Sequence, residues 1–293
     1  MFSGSIVAII SPLQADGSLD KNALQELIEW HIDEGTHGIV IMGTTGESAT
    51  VDSRDYDAAL QLVVKQVAGR VPVIAGTGSI STKKTIALTQ QAQAMGVDAA
   101  LVVTPYYCKP SQEGLFQHFK AVAENTKLPI ILYNVPGRTA CDLLPETVAR
   151  LADIESIVAI KEATGDLSRV EELNRRCKTP ITLLSGDDAT ALEFLKLGGH
   201  GVISVTANAA PALMSKMCDL GKAGQWKQAT VINEKLSALH QDLFVEANPI
   251  PVKWALAQMG KCEETILLPL TVLAEQYHSQ VLQALEQANV DIK

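Results

Sequence analysis

Short apolar runs punctuate the first two-thirds of the chain, at residues 6–10, 38–42, 71–75, 99–103, 129–133, 157–160, 181–184 and 201–205. They are rich in Val and Ile and apolar at successive positions, which is the pattern of strands buried on both faces of a parallel sheet. Longer segments with helical periodicity separate them. Leu24, Leu27, Ile28 and Ile32 share one face of the first, and Asp20 is placed to cap it. A second helix begins near Asp52 and carries Leu60, Val63, Val64 and Val67, and a third over 85–95 stops at Gly96. Eight strands alternating with helices predict an α/β fold closed as a TIM (β/α)8 barrel. The alternative, an open doubly wound sheet, lacks a G-x-G-x-x-G after the first strand.

After Val205 the strand pattern stops. Residues 226–243, 251–260 and 270–288 read as helices, one of them opened by Pro249 and Pro251, where a missing N–H does no harm. The expected organisation is a barrel over 1–223 and a C-terminal helical appendage over 224–293, with no low-complexity linker between them.

Composition narrows the function. Of 293 residues 47% are hydrophobic and 19% charged, and the net charge is −9 with no basic run. That balance argues against nucleic acid and anionic membrane as partners. The five cysteines are scattered without C-x-x-C spacing, and the six histidines show no ligand pattern, so no metal site is expected. The first residues lack a basic n-region and no apolar stretch is long enough to span a bilayer, so a cytoplasmic setting is expected.

Barrel chemistry sits where strands end. The sixth strand runs into Lys161-Glu162, which places an amine at the barrel mouth. Withdrawal from water disfavours the ammonium and leaves more free amine to attack a carbonyl. The plainer alternative is a snorkelling lysine, or one paired with Glu162. Tyr133 ends the fifth strand, and a phenol beside an imine can relay protons; the alternative there is a rim aromatic. Gly43-Thr44-Thr45-Gly46-Glu47-Ser48 follows the second strand as a loop able to turn amides and hydroxyls toward a carboxylate, or simply as a tight turn. Arg138 could grip a second carboxylate bidentately or stay solvated. Tyr106 and Tyr107 after the fourth strand fit a subunit contact or a further site hydroxyl. Asp187 and Asp188 occupy a loop that binds phosphate in many barrels, so an unphosphorylated substrate is expected.

Together with Val135-Pro136-Gly137-Arg138-Thr139 and Asn248-Pro249-Ile250-Pro251-Val252-Lys253, these segments make the chain resemble the dihydrodipicolinate synthase family over essentially its whole length. The resemblance implies that Lys161 forms a Schiff base with pyruvate, with Tyr133, Thr44 and Tyr107 as proton relay, the last supplied by a neighbouring subunit. It implies that Thr45 and nearby amides hold the pyruvate carboxylate. Arg138 would hold the carboxylate of L-aspartate 4-semialdehyde, while Gly186 and Ile203 line the pocket. It further implies a homotetramer built as a dimer of dimers and, because the protonated imine is itself the electron sink, no cofactor or metal. Lysine-inhibited relatives bind lysine with His, His, Asn and Glu where this chain has Ser53, Tyr56, Ile80 and Lys84, although Ser48, Ala49 and Tyr106 are kept. Weak or absent inhibition by lysine is therefore expected. The nearest alternatives are another pyruvate lyase of the superfamily, such as N-acetylneuraminate lyase or a keto-deoxy sugar acid aldolase, and more remotely a catalytically silent barrel.

Overall fold

The computed structural model describes residues 2–292. Its strands are β1 (Gly4–Ala8), β2 (Gly38–Ile41), β3 (Val73–Gly76), β4 (Ala99–Val103), β5 (Ile130–Asn134), β6 (Ile157–Glu162), β7 (Thr182–Ser185) and β8 (Gly201–Ser204). They pair in parallel in sequence order, and β8 returns to β1, so the sheet closes into a barrel. The predicted TIM barrel is the fold observed.

Two apolar layers follow from the period-2 geometry of the strands. Ile6, Ala8, Val40, Ile74, Ala99, Leu101, Ile131, Ala159, Leu184 and Ile203 fill the barrel interior. Their strand neighbours, among them Val7, Ile39, Ala100, Leu132, Ile160 and Leu183, join the layer between barrel and helices. Every strand is therefore apolar on both faces, which is why periodicity located the strands so directly.

Strand boundaries moved where distant residues intervene. The first strand lies at Gly4–Ala8 rather than 6–10. Asn208 Nδ2 donates to the Ala8 carbonyl at 2.8 Å and its Oδ1 accepts from the Ile10 amide at 3.1 Å, so a side chain terminates the ladder. The third helix starts earlier than expected, at Thr82, because the Ser81 hydroxyl caps it. Residues 270–288 are not one helix: a 3-10 turn at Glu275–Tyr277 precedes helix His278–Gln287.

Helix Trp226–Asp242 packs against Pro211–Lys222 on one side and His278–Gln287 on the other. Helix Ile250–Gln258 has no polar face: every residue from Ile250 to Leu256 is buried, Lys253 included. That helix reaches the loop after β2, at the C-terminal mouth of the barrel.

Candidate active site

Neighbouring strands set the central pair. The β5–β6 register places Tyr133 beside Lys161 and Asn134 beside Glu162. Ile131 and Ala159 point inward, so two residues later Tyr133 and Lys161 do as well. Both are only 6% exposed. The Lys161 Nζ lies 4.4 Å from the centroid of the Tyr133 ring, a cation–π distance. Gly186 makes room for the lysine stem: a Cβ there would stand 2.9 Å from Lys161 Cε and 2.6 Å from Ala163 Cβ. Ile203, 1% exposed, comes into the same interior from β8.

Glu162 does not pair with Lys161. Strand alternation turns it to the outer face, where it accepts from Asn134 Nδ2 at 3.1 Å and from the Thr164 amide at 2.9 Å. Burial pushes its carboxyl above the ordinary range, against the pull of those donors. Among the described residues no carboxylate stands within ion-pair distance of the Lys161 amine. The ion-pair alternative fails on geometry.

The loop after β2 approaches from the side. Thr44 lines a small cavity together with Tyr133, Met42, Gly76 and Gly78. Thr45 is buried, and its Oγ1 accepts from Asn248 Nδ2 at 3.0 Å. Glu47 holds a left-handed backbone (φ 55) that non-glycine residues seldom adopt. Its carboxylate takes the Lys253 ammonium at 2.6 Å and the Leu267 amide at 2.9 Å, which ties the loop to the C-terminal helices. Burial holds that ammonium below the usual lysine range, while Glu47 pulls the other way. Arg138, exposed at the rim, donates from Nη2 to the Asn248 carbonyl at 3.0 Å.

Other candidates lie elsewhere. Tyr107 is 88% exposed with a left-handed backbone (φ 70), in contrast to the buried Lys161 and Tyr133. Ser48, Ala49, Ser53, Ile80, Lys84 and Tyr106 are all exposed. Tyr56 is not: it is buried, and its hydroxyl donates to the Gly76 carbonyl at 2.8 Å. The two aspartates after β7 already serve as acceptors within the fold. Asp188 Oδ2 takes the Val205 and Thr206 amides, and Asp187 Oδ2 takes the Thr190 amide and hydroxyl. Asn248, Glu47 and Lys253 received no role from sequence reasoning. The trace they left was Lys253, a cation inside an otherwise apolar helix, which needs a buried counter-charge.

A closed barrel in which a buried lysine meets a phenol at the strand ends, with no carboxylate among the described residues in ion-pair reach of the amine, fits the class of Schiff-base-forming lyases. A profile of the Dihydrodipicolinate synthetase family matches residues 1–288, and the chain belongs to that family. The 4-hydroxy-tetrahydrodipicolinate synthase of Methylococcus capsulatus is 57% identical over 290 residues, which is 99% of this chain and all of that one. Its counterpart from Acidithiobacillus ferrooxidans is 56% identical over 288 residues, covering 98% of this chain and 99% of its own. A crystal structure of the chloride-inhibited dihydrodipicolinate synthase from Acinetobacter baumannii complexed with pyruvate superposes with a TM-score of 0.97 at 49% identity, covering 99% of this chain and 100% of that one. Among the described residues no helix is long and apolar enough to cross a membrane.

Proposed function

We propose that this chain condenses pyruvate with L-aspartate 4-semialdehyde to give 4-hydroxy-tetrahydrodipicolinate, through an imine on Lys161. The observation that carries the reading is a buried amine with no counter-ion among the described residues, 4.4 Å from the Tyr133 ring. Such an amine is not tied up in an ion pair, and it lies within the barrel mouth where a keto carbon can reach it.

The Lys161 nitrogen adds to the keto carbon, and the resulting carbinolamine loses water to give the imine. Removal of a methyl proton then yields a neutral enamine, because the protonated imine accepts the electron pair. The enamine carbon attacks the aldehyde carbon and its oxygen takes a proton. The substrate amine next displaces the lysine nitrogen from the former keto carbon, closing the ring and freeing Lys161. Tyr133 and Thr44, which face one cavity, support a proton relay. Thr45 and its neighbouring amides take the pyruvate carboxylate, and Arg138 takes the aldehyde's carboxylate. Gly186 and Ile203 shape the pocket.

The exposed, left-handed Tyr107 supports a relay completed by a second subunit, hence a dimer, with two dimers forming a homotetramer. No cofactor enters this reading, because the imine supplies the electron sink. A cytoplasmic location, and a division into barrel (1–223) and helical appendage (224–293), belong to the same proposal.

Borohydride reduction in the presence of pyruvate, followed by intact mass and peptide mapping, tests it. A pyruvyl adduct on Lys161 is expected, with turnover of aspartate semialdehyde and none of N-acetylneuraminate. An unmodified protein, or the opposite substrate preference, would overturn it.

The regulatory positions support insensitivity to lysine. Exposed Lys84 would repel an ammonium, Ile80 offers no hydrogen bond, and the Tyr56 hydroxyl is already bound to Gly76. Activity is expected to stay flat across millimolar lysine. A steep inhibition curve there would show that the degenerate positions still form a site.

A further inference from the structure

Asn248 stands between the two proposed carboxylate positions. It is 5% exposed and immediately precedes the turn into helix Ile250–Gln258. Its side-chain Nδ2 donates to Thr45 Oγ1 at 3.0 Å, and its main-chain oxygen accepts from Arg138 Nη2 at 3.0 Å. Among the described residues its Oδ1 has no partner, so Thr45 is the amide's one hydrogen-bonding anchor.

A threonine hydroxyl carries one hydrogen and can accept as well as donate. Because Thr45 Oγ1 accepts from Asn248, its own O–H cannot be directed back at that amide. The hydrogen is left for a ligand oxygen, and accepting one bond strengthens the donation of the other. On the rim, the Asn248 carbonyl engages one N–H of a planar fork that has five. This fixes the Arg138 plane while leaving donors for a carboxylate. One residue thereby orients donors for both substrates, the first through its side chain and the second through its backbone.

We propose that Asn248 is a positioning residue, which presents the Thr45 hydroxyl to the keto-acid carboxylate and holds Arg138 in place for the second. The inference rests on the substrate assignment proposed above and adds a residue to it.

The test is steady-state kinetics in both substrates on Asn248→Ala, Asn248→Asp, Thr45→Val and the double variant Thr45→Val/Asn248→Ala, with thermal melts alongside. Asn248→Ala is expected to raise KM for pyruvate about tenfold, the scale of one hydrogen bond to a charged group, and to change kcat far less. Asn248→Asp has the same shape but cannot donate. It would accept the Thr45 hydrogen and set a negative charge beside the carboxylate, raising KM for pyruvate about a hundredfold. KM for the aldehyde should move by no more than about twofold in either variant, because the backbone carbonyl remains. In the Thr45→Val background, Asn248→Ala should add almost nothing, since both act through one hydroxyl.

A purely structural role predicts a different outcome: lower melting temperature, lower kcat, additive effects and no special penalty for aspartate. That result, or an unchanged KM for pyruvate in Asn248→Asp, overturns the proposal. Should Asn248→Asp fail to fold, the double-variant cycle decides by itself, with Asn248→Ser in place of alanine if necessary. Borohydride trapping on the wild-type protein separates the two levels. A wild-type adduct with indifferent Asn248 variants refutes the positioning role alone, whereas no adduct refutes the substrate assignment beneath it.

Discussion

Lys161→Ala is expected to lower kcat/KM by on the order of 10⁴-fold or more, and to abolish the borohydride-trapped pyruvyl adduct, while the protein still folds. The magnitude follows from the chemistry. Without the amine there is no imine, and the methyl proton would have to leave a free keto acid to give an enolate, with no protonated imine to take up the electron pair. Folding should survive because among the described residues Lys161 makes no ion pair, and truncating its stem removes the neighbour that packs on Gly186 without stranding a charge. Lys161→Arg is expected to be equally inactive, since a guanidinium stays protonated and cannot condense. Tyr133→Phe, by contrast, should lose about 10²- to 10⁴-fold and still form some adduct, because it removes a proton relay but leaves the nucleophile. Melting curves and adduct mass together check all three. Substantial turnover by Lys161→Ala would mean that the chemistry runs through another group, and the imine mechanism would be wrong.

How far this site could be read from the sequence depended on sequence distance. Tyr133 and Lys161 were legible because each directly continues an apolar strand, and period-2 geometry then fixes which way it faces. The same geometry separated Lys161 from Glu162, although adjacency in the chain suggested a pair. The eight strands were legible because both faces of each are buried. Contacts that close across some two hundred residues were not: Asn208 to Ala8, Asn248 to Thr45 and Lys253 to Glu47 leave no periodic pattern. Local propensity also missed the break near residue 275, where the 3-10 turn of Glu275–Tyr277 interrupts a segment that reads as continuous helix. The aspartates after β7 carry structure as well as charge. Asp187 caps the following turn through Thr190 and Asp188 ties the loop to residues 205 and 206, which sequence spacing alone did not show.

Lys253→Met is expected to destabilise the protein by about 3–5 kcal/mol, the cost of leaving one member of a buried pair unmatched. The side chains of Lys253 and Glu47 are 1% and 0% exposed, so neither charge can fall back on water. With the ammonium gone, the Glu47 carboxylate keeps only the Leu267 amide as donor among the described residues. At roughly 2–4 °C per kcal/mol for a chain approaching this size, the melting temperature should drop by about 10 °C. The loss should also reach the site, because Glu47 has a left-handed backbone in the loop that carries Thr44 and Thr45, and its carboxylate is what fastens that loop to helix Ile250–Gln258. KM for pyruvate should therefore rise in Lys253→Met more than in a core variant of equal stability loss. The double variant Glu47→Gln/Lys253→Met removes both charges while keeping an acceptor for Leu267. It should recover most of the lost melting temperature, since a neutral buried contact has no uncompensated charge. Differential scanning calorimetry on the two single variants and the double gives the coupling directly. If Lys253→Met melts with the wild-type protein, the pair does not hold the loop, and the account of how the C-terminal helices shape the barrel mouth must be abandoned.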